Sequence, residues 1–290
     1  MEGNEGTVSL AIDHAGGGRW ITALAIDTRG IASSPRSLLR TNIKAQSASL
    51  HAVVVGVDNY PEPALKLNFA ESDARRLASA LRAKGYYRAP SNVTDLIGNR
   101  ATSDAIIGKL EEVVSRADPT DTIVFSFAGH GLQAEDGRYY LTPADFVSYK
   151  ATETGLSWQR IASALQKTRA RVVVILDACH AGLTGVEGLA TNDSAADALI
   201  SGPRSPMLVL AASKGREVAN EHSKWGGGVF TYALVRAIEK DRAKYDRNAN
   251  GVIEVSELYA ALKSIVSHET NSEQSPWLVR QDLVGDFSLF

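Results

Sequence analysis

Residues 172–182 read Val172-Val173-Val174-Ile175-Leu176-Asp177-Ala178-Cys179-His180-Ala181-Gly182. The first five are apolar without alternation, which marks a strand buried on both faces, the condition of a parallel sheet covered by helices. Four further runs share this character: Ala52 to Val57, Val93 to Ile97, Thr122 to Phe127 and Met207 to Ala211. Between them the apolar period changes to three and four residues, with Ala70, Ala74, Leu77 and Leu81 in 68–84, and Ile106, Leu110, Val113 and Val114 in 102–117. That spacing predicts helices, the first ending at Gly85 as a C-cap. Helices also fit 157–167, 229–240 and 255–266, and Arg138-Tyr139-Tyr140-Leu141 fits a short ribbon. Strand and helix in alternation give an α/β domain with a largely parallel sheet.

Upstream, residues 7–12 and 20–26 flank Gly16-Gly17-Gly18 and read as a β-hairpin. Two strands are marginal alone, so the hairpin packs on the main domain or forms the tail of a β-sandwich. A polar linker, about 28–49, follows it. The expected division is therefore 1–49, hairpin and linker, and 50–290, the main domain. Residues 180–205, rich in Gly, Ala, Ser, Thr and Asp, read as a loop.

The chain has 290 residues, 44% apolar and 22% charged, with a formal net charge of -2, so neither nucleic acid nor an anionic membrane is an expected partner. No apolar run approaches the roughly 20 residues that span a bilayer. The acidic, Gly-rich opening Met1 to Gly6 lacks the blocks of a secretory signal, which makes the cytoplasm the expected location. A single cysteine excludes an intrachain disulfide and leaves three readings of the thiol: packing, metal ligand or nucleophile.

Its surroundings favour the third. Ligands of open parallel sheets bind beyond the carboxyl ends of the strands. One strand ends in Asp177-Ala178-Cys179-His180-Ala181-Gly182, and another, Thr122 to Phe127, ends in Ala128-Gly129-His130-Gly131. Cys179 and His130 are thus expected to share a cleft. Asp177 precedes the thiol by two residues and, by strand alternation, faces the same side.

In these two motifs, about 50 residues apart, the chain resembles the caspase-like cysteine peptidases, and among them metacaspases and their bacterial relatives. Asn68 to Ala74 and Gly228 to Thr231 extend the likeness over most of 50–240. The resemblance implies a caspase-hemoglobinase fold: a mostly parallel six-stranded sheet with helices on both faces, here preceded by the hairpin. It implies an endopeptidase with Cys179 as nucleophile, His130 as its proton-transfer partner, and an oxyanion hole from the backbone N–H groups of Gly131 and Cys179. It also implies an acidic S1 pocket from Asp177 and Asp73, hence a protein or peptide substrate with Arg or Lys at P1. Asp73 has an alternative reading, as an acid complementing the dipole in the first turn of its helix. Where the family commonly carries Ser before Gly-His-Gly, this chain has Ala128. Relatives of this type are generally monomeric, so a monomer is expected.

A second motif runs from Asp246 to Glu257 and fits the twelve-residue EF-hand loop, with Asp246, Asn248, Asn250, Val252 and Glu257 as calcium ligands and Gly251 at the turn. The competing reading is a polar turn between two helices. No cofactor is required for the expected chemistry, and calcium is the one metal that the sequence suggests. His180 reads as structural, and His14, His51, His222 and His268 as surface or packing residues. Trp158, Trp225 and Trp277 fit either the cleft or the core. Against the peptidase stand two other classes: a catalytically silent scaffold or signalling module on the same fold, and a thiol hydrolase of small amides.

Overall fold

The computed structural model describes residues 19–23, 36–40, 49–83, 91–178, 207–213, 220–239, 242–247 and 253–281. Six strands form the central sheet: β3 (Leu50–Gly56), β4 (Asn92–Ile97), β5 (Thr122–Ala128), β9 (Arg171–Asp177), β10 (Met207–Ala211) and β13 (Trp277–Gln281). Their order is β13-β10-β9-β5-β3-β4. All neighbours run parallel except β13, which is antiparallel to β10.

Period-2 alternation divides the strand side chains between two cores. Val53, Val55, Phe125, Phe127, Val172 and Val174 face one side, against α2 (Ser103–Arg116) and α4 (Trp158–Leu165). Ala52, Val54, Val124, Val173, Ile175 and Leu208 face the other, against α1 (Ala70–Arg82), α5 (Val229–Glu239) and α7 (Val255–Glu269). Two short helices, α3 (Ala151–Thr154) and α6 (Arg242–Tyr245), complete the described set. With helices on both faces, β3 and β5 have no exposed residue, which accounts for their unbroken apolar sequences.

Local chemistry sets the helix ends. The Thr102 hydroxyl accepts from Ala105 N–H at the start of α2, and the Ser157 hydroxyl accepts from Arg160 N–H at the start of α4. For α1 the cap is remote: the Asp58 carboxylate, just beyond β3, accepts from Ala70 N–H at 2.7 Å. This bond ties the first turn of α1 to the carboxyl end of the sheet.

Three boundaries differ from the sequence reading. The N-terminal ribbon pairs β1 (Arg19–Ala23) with β2 (Arg36–Arg40), inside the stretch read as a linker, while 7–12 lies outside the described residues. Helix α1 ends at Arg82, with Ala83 already extended, and Gly85 lies outside the described residues. The sixth strand, β13, follows a left-handed turn at Asn271 and Ser272. Its segment carries Arg280 and Gln281 beside apolar residues and lacks the apolar run of β3, β5, β9 and β10; β4, expected to be buried on both faces, carries Thr94 and Asp95 and is an only partly buried edge strand. The ribbon after β5 is three-stranded: β6 (Gly131–Gln133), β7 (Tyr139–Leu141) and β8 (Leu156–Ser157). Among the described residues no helix is long and apolar enough to cross a membrane.

The fit of α1 on the sheet gives a first test. A Cβ on Gly56 would lie 2.6 Å from both the Ala70 carbonyl oxygen and the Ala74 Cβ, whereas one on Gly108 in α2 would meet nothing within 4 Å. Gly56→Ala should destabilise the fold by about 1–3 kcal/mol through overpacking. Gly108→Ala should stabilise it by about 0.4–1 kcal/mol. Urea unfolding midpoints of the two variants should move in opposite directions.

Candidate active site

The carboxyl ends of β5 and β9 lie side by side, with Ala128 opposite Asp177. Gly129 N–H donates to the Asp177 carbonyl at 3.2 Å, carrying the pairing one residue past β5. Next comes His130, only 1% exposed. Its backbone N–H donates to the Tyr60 hydroxyl at 3.2 Å, and its carbonyl accepts from the Thr142 N–H and hydroxyl, both at 3.0 Å. The Thr142 hydroxyl, its one proton given to that carbonyl, lies 3.0 Å from Tyr60 Oη, whose own O–H can donate to it. Burial pushes the Tyr60 phenol up to about 12, so it stays a neutral hydroxyl in this cluster.

The imidazole orientation follows from one contact. His130 Nε2 lies 2.9 Å from the Leu65 carbonyl oxygen. A carbonyl can only accept, so Nε2 carries the proton, and in the neutral ring the basic lone pair sits on Nδ1. The neighbouring glycines are required by space. A Cβ on Gly129 would come within 2.9 Å of Tyr60 Oη, and one on Gly131 would strike the Tyr139 hydroxyl and come within 3.1 Å of the Ala178 carbonyl. Gly131 is therefore packed against the residue before Cys179. Cys179 itself lies outside the described residues, as do His180 and the loop 183–205.

The two acids named for S1 come together from α1 and the end of β9, about a hundred residues apart in sequence. Asp177, 7% exposed, accepts from the Thr231 hydroxyl at 3.0 Å. Asp73, 2% exposed, accepts from Gly228 N–H at 2.9 Å and binds the guanidinium of Arg76. Gly228 lies between them: a Cβ there would be 3.0 Å from Asp73 Oδ2 and 3.3 Å from Asp177 Oδ2. Gly227 has φ +153°, and its missing Cβ leaves room for Asp73 Oδ1. This glycine ribbon, formed by β11 (Glu221–His222) and β12 (Gly227–Gly228), brings backbone N–H directly to a buried carboxylate. Burial, and then the charge of Asp177, push the Asp73 carboxyl up to about 7 against the opposing pull of Gly228 N–H and Arg76.

Asp73 does lie in the first turn of α1, as its alternative reading requires, and its side chain in addition bonds Gly228 N–H and Arg76, while Asp58 supplies the cap. Sequence reasoning missed Tyr60, the Leu65 carbonyl, Arg76 and the role of Thr231. Arg76, at the i+3 position from Asp73, was the one with a local signal.

Other candidates fall elsewhere. Asp246 and Glu257 are described, whereas Asn248, Asn250 and Val252 lie outside the described residues. The Glu257 carboxylate accepts from Arg247 N–H at 2.8 Å and Glu254 N–H at 3.1 Å, forming a capping box with Glu254 at the start of α7. No cluster of three or more His, Cys, Asp or Glu suited to a metal occurs among the described residues. His51 is buried and lies 3.1 Å from Asp121, at the amino end of the strands, opposite the end that holds His130. His222 and His268 are exposed, and His14 lies outside the described residues. Trp158 and Trp225 are core residues on opposite faces, and Trp277 packs partly buried beside β10.

Removal of the Tyr60 hydroxyl tests the cluster around His130. Tyr60→Phe leaves the buried His130 N–H without its acceptor, and should cost about 1–3 kcal/mol in urea unfolding.

Comparison with known proteins agrees with this geometry. A family model described as the caspase domain matches residues 49–288. Comparison with curated proteins gives no match. A crystal structure from Geobacter sulfurreducens superposes with a TM-score of 0.57 at 18% identity, covering 80% of this chain and 93% of that one. The Drosophila initiator caspase Dronc superposes with a TM-score of 0.52 at 14% identity, covering 91% of this chain and 96% of that one. At these identities the two structures speak for the fold, while the family match spans most of the sequence; with the Gly-His-Gly turn and the Asp-Ala-Cys strand end in adjacent register, the chain belongs to the caspase family of cysteine peptidases.

Proposed function

We propose that this chain is a cysteine endopeptidase that cleaves after Arg or Lys. The observation that carries the specificity is the pair of buried carboxylates, Asp73 and Asp177, gathered around Gly228 at the sheet end that also holds His130. Desolvated acids attract a guanidinium or ammonium and offer nothing to an acidic P1 side chain.

The chemistry follows from the tautomer. The Cys179 thiol gives its proton to His130 Nδ1, and the sulfur attacks the scissile carbonyl carbon. Negative charge on the carbonyl oxygen is met by the backbone N–H groups of Gly131 and Cys179. Collapse expels the amine, which takes the proton from His130, and leaves a thioester on Cys179. Water, deprotonated by His130, then releases the acid product and restores the thiol. No metal takes part, and the enzyme acts as a monomer. If the turn after Asp246 binds calcium, Glu257, whose two oxygens accept from Arg247 and Glu254 N–H, would be a ligand; calorimetry on the wild type and Asp246→Ala at millimolar calcium tests for that binding.

A P1-position peptide library should show turnover for Arg and Lys and none for Asp or Glu, with Cys179→Ala inactive. Asp177→Asn should lower kcat/KM for an Arg substrate by about 30-fold or more, equivalent to about 2 kcal/mol, through loss of a desolvated charge partner. A protein folded like the wild type but unlabelled at Cys179 by a basic-P1 probe would instead be a scaffold.

The raised Asp73 pKa predicts a pH dependence. Below it the carboxyl is neutral and above it an anion, so KM for an Arg substrate should fall as pH rises through about 7. KM for the matching citrulline peptide, which lacks the charge, should stay level across that range.

A further inference from the structure

On the reading of Asp73 and Asp177 as the P1 site, the roles of the two acids need not be equal, and their partners differ. Asp177 meets a neutral donor, the Thr231 hydroxyl. Asp73 meets a full positive charge, and that charge is itself held in place. Arg76 extends from α1 with one guanidinium nitrogen on Asp73 and the other donating to the Trp225 carbonyl at 2.5 Å. The backbone of Gly226 and Gly227 closes over it. A Cβ on Gly227 would lie 2.7 Å from Arg76 Nη2, and one on Gly226 would lie 3.4 Å from Nη1. Both glycines have positive φ, +70° and +153°. The ribbon thus takes up backbone conformations that side chains disfavour, in order to lie against an Asp–Arg pair.

An ordinary i,i+3 ion pair on an exposed helix contributes only tenths of a kcal/mol and needs no such support. This one differs because the Asp73 side chain is 3% exposed and a second carboxylate stands on the far side of Gly228. Two desolvated acids in one pocket cannot both ionise readily without a counter-charge. Among the described residues the groups facing Asp73 are Arg76 from α1, Gly228 N–H from β12 and Asp177 from β9, and of these Arg76 is the positive one.

We propose that Arg76 is the charge-setting residue of the P1 pocket: a fixed internal guanidinium that favours the ionised form of Asp73 beside Asp177. Asp73, with one oxygen on Arg76 and the other on Gly228 N–H, is thereby fixed in place beside Asp177. Arg76 acts through Asp73 and is a positioning residue, not a catalytic one.

The test is a titration. The carboxyl 13C signal of Asp73 is followed against pH in the wild type, Arg76→Met and Arg76→Lys, and KM for an Arg-P1 peptide is measured over the same range. Loss of an adjacent opposite charge should move the Asp73 midpoint up by about one to three pH units in Arg76→Met, with Arg76→Lys staying near the wild type. The pH at which KM falls should move with it, a change that a packing role of Arg76 would not produce. If Arg76→Met does not fold, Arg76→Gln serves, with the same direction expected. An Asp73 midpoint that stays in place in the neutral variants would overturn the proposal. A midpoint that moves while the peptide is not cleaved by any form would leave Arg76 as the charge-setter and remove the P1 reading on which its specificity role rests.

Discussion

The register of β5 against β9 is the constraint on which the rest depends. With Ala128 opposite Asp177, the histidine turn and the cysteine-bearing strand end emerge together, and Asp177 reaches Thr231 on the adjoining helix. A slip of one residue would exchange the faces of every side chain on the strand. Both faces here are packed cores, one against α2 and α4, the other against α1, α5 and α7, so neither tolerates the exchange. The precision of the site is thus inherited from hydrophobic packing that lies away from it.

Upon that frame the polar groups are positioned by backbone atoms more than by side chains. His130 is oriented by the Leu65 carbonyl, Asp73 by Gly228 N–H, and Arg76 by the Trp225 carbonyl. Backbone partners cannot rotate away, so each fixes a tautomer or a charge without the entropy loss of ordering a second long side chain. Glycine is what lets the backbone come close enough, at 129 and 131 on one side and at 226–228 on the other. The charge arrangement is the energetically demanding part. Burial of Asp73 near Asp177 works against ionisation, and among the described residues the directed Gly228 N–H and the Arg76 guanidinium oppose it.

The sequence made the sheet readable because burial on both faces leaves a signature independent of partners: β3, β5, β9 and β10 are largely apolar runs, while the edge strand β4, with Thr94 and Asp95, is only partly buried. The sixth, β13, has no such run and becomes a strand only because β10 offers it an edge. The N-terminal ladder shows the same limit, since Arg36–Arg40 has the composition of a linker and is a strand by pairing alone. At the site, Asp177 and His130 were legible from their place at strand ends. Tyr60, Leu65, Arg76 and Thr231 were not, because each acts through a contact with a distant segment, and for Leu65 through a carbonyl that every residue possesses. Asp73 shows the intermediate case: resemblance named it, helix position offered a second explanation, and the structure places it both in the first turn of α1 and in a bond to Gly228 N–H that no local pattern foretold.

The account as a whole turns on proton exchange between His130 Nδ1 and the Cys179 sulfur. The most direct measurement is the rate of Cys179 alkylation by iodoacetamide as a function of pH, in the wild type and in His130→Ala. The thiol is the only one in the chain, so the signal is unambiguous. The account predicts rapid alkylation of the wild type below pH 7, and in the variant a rate that falls away below about 8.5, the value of an ordinary thiol. Superimposable profiles for the two proteins would contradict it.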